Sequence, residues 1–427
     1  MTVQEKEMLA ERKEPPAEPL NEIHWFKRLE WFRMFIIWGI PLLGFIGATQ
    51  VPLHKKTAIL TIVYYFISGI SLSAGVSALS FSLTRRSCKT NLQTGYHRLW
   101  SHRAYTATTV TRFFLAFFAA SVGEGNAYTW ARDHRAHHRF TDTDQDPYSV
   151  HKGLFYAHFG WIIFTQDRSL TGRTDVSDLK NDKIVMWQRR NYMSLFVLTA
   201  FILPTVFAGL LWDDWWGGLV YAGAIRMFIV QQSTFFINSI AHSLGDQTYS
   251  DRHSPRDSVI TSFLTGGEGY HNYHHEFPMD YRSGVRWYHY DPPKWTIYIL
   301  SLFGMTSDLK QFPDNEVSMG AHQQRMKKLN QEAKGISWGT PVEDLPLLTW
   351  AEYTERANGG HHLICLKGII YDVAPFVHQH PGGTKIILSQ VGKDATEQFF
   401  GGVYAHSNGA ENLLCGMRYA RLVEETK

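Results

Sequence analysis

Three short segments concentrate histidine: HRLWSH, with His97 and His102; HRAHH, with His134, His137 and His138; and HNYHH, with His271, His274 and His275. In the second and third, the i, i+3, i+4 spacing puts three imidazoles on one helical face, about 5–6 Å apart at Cβ, which suits a shared metal centre. The first, at i, i+5, fits one α-helical face less well and suits a helix end. His242 follows Asn238 by four residues in NSIAH, at the end of an apolar run. These nine neutral nitrogen donors exceed what one metal accepts, so two metals are the economical reading, without the carboxylates of a soluble four-helix di-iron site. Imidazole suits Zn, Cu, Fe or Ni alike, and ligand type does not choose among them. His24, His54, His151, His158, His253, His289 and His322 lack such partners and are read as ordinary solvated or hydrogen-bonded side chains.

What positions the boxes is a set of four apolar runs, residues 34–53, 57–83, 193–212 and 217–241, each near the ~20 residues a helix needs to span hydrocarbon. The runs form two close pairs, so the boxes fall on one side of the membrane. Residues 84–192, between the pairs, carry 16 Lys and Arg, which by the positive-inside rule turns this segment and both termini toward the cytosol. Arg226, Gln231 and Gln232 lie inside the fourth run, an expensive placement unless they face a protein interior; a snorkelling Arg226 is the other reading. The stretch Phe113 to Ala120 is too short to span and lies along the membrane or on the bundle.

Composition narrows the function classes. Of 427 residues, 42 are Lys or Arg and 39 Asp or Glu, a formal charge of +3 that removes the case for a general nucleic-acid binder. An apolar share of 44% excludes a disordered chain. The cysteines, Cys88, Cys365 and Cys415, form no CxxC pair, so neither a disulfide framework nor a zinc knuckle is expected.

Residues 319–342 are polar and read as a linker or amphipathic helix, and a soluble pattern over 343–425 follows. There HPGG puts His380 at a tight turn, and His406 lies 26 residues on in VYAHSN. Two histidines facing each other are what bis-imidazole haem ligation needs. With both axial positions filled, electron transfer is the remaining role. HPGG, GKDAT and the spaced second histidine resemble cytochrome b5.

The order HRLWSH, WARDHRAHH, GEGYHNYHHEFPMDY, split by two pairs of apolar runs, resembles the integral-membrane acyl-CoA desaturases over nearly the whole chain after residue 20, and is close to the fungal stearoyl-CoA Δ9 branch. That resemblance implies two irons, dioxygen-dependent removal of two hydrogens from an acyl chain at Δ9, and an endoplasmic reticulum membrane location. It also implies that His242 is the ninth iron ligand, that Asn238 acts through water, and that Arg132 and Asp133 grip coenzyme A. Electrons would come from NADH through a separate cytochrome b5 reductase. Where the family carries Asn and Trp, this chain has Gly125 and Phe235.

The expected architecture is therefore mainly α. A polar segment, 1–33, precedes a four-transmembrane-helix di-iron desaturase domain with a cytosolic helical cap over 34–318, followed by a small α+β cytochrome b5-like haem domain. Choosing among chemically alike methylenes demands a dry channel that fixes the chain in register. Imidazole ligands need acceptors behind them, for which Asp133, Asp142, Glu268 and Glu276 are the nearby candidates.

One stretch departs from the family pattern. SLSAG (71–75) and YHRLWSH (96–102) are separated by 20 residues, 76–95, where the family runs one into the other. Two readings stand: a retained intron of three nucleotides per inserted residue, or a real loop that leaves the membrane and returns. If translated, the insertion is expected to damage iron loading by detaching His97 and His102 from the second run. The competing functions are an impaired membrane haem protein and a related lipid desaturase or hydroxylase.

Overall fold

The computed structural model describes residues 25–73, 95–401 and 405–423. His24, most of the N-terminal polar segment and residues 76–94 of the insertion lie outside the described residues. The chain divides into two compact units, Met1–Arg325 and Met326–Lys427, the division falling inside the stretch read as a linker.

The first unit is helical. Its principal helices are α1 (Trp31–Ala48), α2 (Lys55–Ser73), α3 (Thr109–Ala119), α4 (Ala127–Phe140), α5 (Lys183–Trp212), α6 (residues 215–239), α7 (Val259–Leu264), α8 (His271–Glu276) and α9 (Pro292–Leu302), and the division between the units falls within α10 (Asp314–Ala333). Helices α1, α2, α5 and α6 lie over the four apolar runs. Among the described residues, α1 and α5 are long and apolar enough to cross a membrane. By that measure α2, which opens on Lys55 and Lys56, and α6, which carries Arg226, Gln231 and Gln232, are not.

Side-chain chemistry sets the boundaries. Asn126 begins α4 by accepting from Thr129 N, and Asp182 begins α5 by accepting from Ile184 N and Val185 N. The first half of α6, Gly218–Ile225, packs on α1, α2 and α5. The approach to α1 is close: a Cβ on Gly44 would lie 2.8 Å from Ala224 Cβ, and one on Gly47 2.8 Å from Val220 Cγ2.

Pro41 and Pro204 sit inside α1 and α5, each just after a π-helical turn, Phe35–Gly39 and Leu198–Ile202. Proline has no N–H for the carbonyl four residues back, and the widened turn takes up the ring. For Pro204 that carbonyl belongs to Ala200, and Arg226 Nη2 donates to it at 3.3 Å. Arg226 is fully buried, also donates to Ser121 O at 3.1 Å, and lies over the Tyr64 ring at 4.9 Å. Gln231 Nε2 donates to Val122 O at 2.8 Å. The polar residues of the fourth run thus face protein interior, and the snorkelling reading of Arg226 falls.

A buried core of Tyr96, Leu99, Trp100, Leu115, Tyr128 and Ile297 underlies the histidine boxes. The second unit carries a sheet of β3 (Leu347–Leu348), β6 (Arg418–Leu422), β5 (Ile369–Asp372) and β4 (Leu363–Leu366) in that spatial order, with only β3 and β6 parallel; β1 (Thr106–Ala107) and β2 (Thr306–Ser307) pair in the first unit. Ile364 and Leu366 of the sheet form one buried cluster with Val377, Ile387 and Leu414.

Candidate metal centres

His97 lies inside a fully buried π-helical turn, Tyr96–Ser101, and His102 caps its end. In such a turn the hydrogen bond runs from residue i+5 back to i, here from His102 N to His97 O at 3.1 Å, so i and i+5 share a face. Their rings lie 4.9 Å apart, and the α-helical objection to a shared face does not apply. The turn packs on the end of α2, with Leu72 in one core with Tyr96 and Leu99. It is held by Arg98, which donates to Glu268 at 2.8 Å, to Asp291 at 2.8 Å and to Tyr281 O at 2.6 Å.

Helix α4 delivers His134, His137 and His138, α8 delivers His271, His274 and His275, and a 3-10 turn after α6 delivers His242. The nine rings sort into two groups. His97, His102, His134, His138 and His274 converge in one, and His137, His242, His271 and His275 in the other, with one nitrogen per ring lying within 4.8 Å of the rest of its group. Each HxxHH box is therefore split. The i and i+4 members (His134 and His138; His271 and His275) stay together while the i+3 member crosses to the other group, so a box does not serve a single centre as its one-face spacing implied.

The nitrogens meet as ligand atoms do. Nε2–Nε2 separations are 3.0 Å for His97 and His274, 2.9 Å for His102 and His134, 3.1 Å for His138 and His274, and 3.1 Å for His242 and His271. Two nitrogens each about 2.1 Å from one ion at a right angle are about 3 Å apart. In four of the rings the opposite nitrogen faces an oxygen. His137 Nδ1 donates to Asp146 at 2.9 Å, and His242 Nδ1 donates to Ser254 Oγ at 2.7 Å, whose own proton goes to Asp142 at 2.6 Å. His97 Nδ1 lies 3.5 Å from Glu268, and His134 Nδ1 lies 3.2 Å from the Tyr148 hydroxyl. With protons held on the Nδ1 side, Nε2 lone pairs point at one another, an arrangement that a cation between them relieves.

Electrostatics agree. Burial, followed by the neighbouring rings, holds His102, His134, His138, His271, His274 and His275 well below the usual imidazole value, so the rings are neutral. Burial pushes Glu268 up, but Arg98 and His97 outweigh it and keep the carboxyl well below its ordinary range. The donor set fits two soft-to-borderline cations, including iron.

Of the four carboxylates expected behind the ligands, Glu268 reaches His97 directly and Asp142 reaches His242 through Ser254. Asp133 instead pairs with Arg132 at 2.6 Å, and Glu276 with Arg252 at 2.7 Å. Asp146, Tyr148 and Ser254 were not singled out by sequence. The TDTDQDP run after α4 shows acidic residues there, but not which one folds back.

A cavity of about 460 Å³ adjoins the first histidine group. His97, His134, Trp130, Thr234 and Asn238 line it, with apolar Ile36, Ile37, Leu72 and Val230 and the charged Arg33, Asp133 and Arg168; Arg132 meets it only through its pair with Asp133. Glu124, also unforeseen, lies in the wall, where burial pushes its carboxyl up to about 8.

In the second unit, His380 and His406 have ring centres 6.3 Å apart. An iron about 2 Å from each of two nitrogens needs roughly 6 Å between ring centres. His406 stacks on Phe399 at 4.3 Å and donates Nδ1–H to Phe399 O at 3.0 Å, leaving Nε2 as the ligand atom. A Cβ on Gly382 would come within 2.9 Å of the His380 ring, so glycine is required beside it.

Comparison with known proteins adds two domain matches. The family described as "Fatty acid desaturase" matches residues 73–295, and "Cytochrome b5-like Heme/Steroid binding domain" matches residues 349–423. "Probable acyl-CoA desaturase" of Schizosaccharomyces pombe (strain 972 / ATCC 24843) is 44% identical over 403 residues, covering 94% of this chain and 79% of that protein. "Acyl-CoA desaturase 1" of Saccharomyces cerevisiae (strain ATCC 204508 / S288c) is 41% identical over 426 residues, covering 99% and 79%. "Stearoyl-CoA desaturase" of Homo sapiens is 34% identical over 286 residues, covering 66% and 74%.

Proposed function

This chain belongs to the fatty acid desaturase family and carries a cytochrome b5-like domain in the same polypeptide, and from that premise we propose that it introduces a cis double bond at Δ9 of a saturated fatty acyl-CoA. The reaction consumes one dioxygen, two electrons and two protons and releases two waters. The observation that carries the reading is the pair of convergent Nε2 groups beside a cavity lined by apolar side chains.

In this reading His97, His102, His134, His138 and His274 hold one iron, His137, His242, His271 and His275 the other, and Asn238 contributes through water. The irons supply the oxidising power that an unactivated C–H bond demands. The chain's own residues do the rest. Ile36, Ile37, Leu72 and Val230 exclude water and grip the acyl chain, and Trp130, Thr234 and Asn238 border the reacting methylenes. Arg132, Asp133 and Arg168 offer charge for the coenzyme A end; Arg168 lies 3.9 Å from Asp133. His380 and His406 would hold a haem, which would supply one-electron transfer from an NADH-dependent cytochrome b5 reductase.

Four membrane crossings over the apolar runs, with both termini cytosolic, in the endoplasmic reticulum, complete the proposal. The domains are a polar segment over 1–33, the catalytic domain over 34–318, a linker over 319–342 and the haem domain over 343–425. Arg98 gives the first histidine box an anchor besides α2, and the impaired haem protein stays the alternative reading should the insertion at 76–95 loosen that box.

Lipid analysis after expression in cells lacking Δ9 desaturation tests the reading. Δ9 monoenes are the expected product; hydroxy acids without monoenes would overturn it in favour of a hydroxylase.

A further inference from the structure

The two histidine groups are braced by different hydrogen-bond networks that touch at Tyr148, whose backbone N–H donates to Asp146 Oδ1 at 3.1 Å while its hydroxyl lies 3.2 Å from His134 Nδ1. Behind the five-histidine group stand Glu268, Arg98, Asp291 and Ser283, with Ser283 Oγ donating to Glu268 at 2.7 Å. Behind the four-histidine group stands one short loop, residues 141–146, that follows α4. Its Asp146 holds His137 Nδ1 at 2.9 Å. Its Asp142 accepts both the backbone N–H and the hydroxyl of Ser254 at 2.6 Å, and that hydroxyl in turn receives His242 Nδ1–H at 2.7 Å. Thr141 Oγ1 lies 3.4 Å from His275 Nδ1. The two carboxylates are tied to each other, since Asp142 N donates to Asp146 Oδ2 at 3.1 Å. Asp142 sits at φ 66°, a left-handed conformation that Asp and Asn tolerate better than other side chains, and that turn is what aims its carboxylate back at Ser254.

We propose that loop 141–146 together with Ser254 is a loading device for one metal position alone: it orients His137, His242 and His275, and the other position fills without it. The proposal rests on the two-metal reading above and goes beyond it, because it makes occupancy of the two positions separable. Asp142, Asp146 and Ser254 act as positioning residues, through the imidazoles rather than on substrate. A carboxylate or hydroxyl that fixes ring orientation and tautomer commonly changes metal affinity 10–100-fold.

The test uses the full-length protein, with haem measured spectroscopically in the same sample so that non-haem iron is counted per chain. The wild type is expected to hold two non-haem irons, one per histidine group. Ser254→Ala and Asp146→Asn are each expected to hold about one, with a new uncoupled high-spin iron signal in electron paramagnetic resonance. Ser254→Thr, which restores the hydroxyl, and Glu276→Gln, a carboxylate that bonds Arg252 rather than a histidine, are expected to keep two. Two irons in both Ser254→Ala and Asp146→Asn, or none in a Ser254→Ala protein that still purifies as a folded monodisperse species, would overturn the separate-loading proposal. A wild type that binds no non-haem iron would instead sink the two-metal reading itself.

Discussion

Trp130 aims its indole N–H at Glu124 Oε2, 3.4 Å away, while its ring lies 4.9 Å from His134 at an interplanar angle of 20°. One tryptophan thereby links a buried carboxyl in the cavity wall to a histidine of the first metal group. Burial raises the acid to about 8, outweighing the hydrogen bonds from Thr234 and Trp130 that favour the carboxylate. Below that value the group is neutral and the wall is compatible with an alkyl chain; above it, a carboxylate faces the cavity. We expect KM for acyl-CoA to rise as pH passes about 8, and Glu124→Gln to remove that alkaline limb while leaving activity at neutral pH within a few-fold. A pH profile of the variant that still bends at the same value would exclude Glu124 as its source.

Arg98 neutralises two carboxylates, Glu268 and Asp291, all three essentially without solvent contact. Replacing it with methionine strands both, and breaking a buried pair in this way costs about 3–5 kcal/mol. The same network makes the fold acid-sensitive. Glu268 is held below its ordinary value of 4.5, so its contribution is fully present above that pH and is lost as pH falls further toward the folded-state value. Thermal unfolding measured from neutral pH down through that range should show the loss, and Arg98→Met should flatten it.

His380→Ala and His406→Ala should each abolish the bis-imidazole haem spectrum and reductase-driven turnover. Non-haem iron should stay at the wild-type level, because these rings belong to the second compact unit and the other nine to the first. Simultaneous loss of haem and non-haem iron would contradict that independence.

Arg226 and Pro204 form an energetic pair. Arg226→Met leaves the Ser121 and Ala200 carbonyls unmet, at about 1–3 kcal/mol per buried group. Pro204→Ala returns an N–H to Ala200 O, so Arg226→Met should cost about 1 kcal/mol less in that background. Additive losses would show that the helix does not close its hydrogen bond when proline is removed.

How much was legible beforehand differs by residue. The eight histidines of the three boxes stood out because their spacing is local and their number improbable, whereas His242, and His380 with His406, rested on longer motifs and the family resemblance. The grouping of the box histidines could not be read from the idea of one shared face, although the geometry was implicit: in an α-helix i and i+4 differ by about 40° and adjacent residues by about 100°, which keeps His134 with His138 and separates His137. The turn that carries His97 and His102 was invisible because sequence patterns assume α geometry. Asp146 and Asp133 look equivalent in sequence, each an acid near a box. Only the return of loop 141–146 onto α4 sets one against His137 and leaves the other to Arg132. Arg226 was flagged as costly, but its partner carbonyl, exposed by a proline in another helix, is a relationship between two distant elements.

The division of each HxxHH box between the two groups has a mechanical result. The spacing between the metal positions is set by the α4 and α8 backbones, not by flexible side chains reaching from separate loops. Neither position can retreat from the other without unwinding a helix that also serves its neighbour. If the two groups hold metals as proposed, such a frame would keep its dimensions whatever charge the metals carry, and little driving force would go into rearranging ligands.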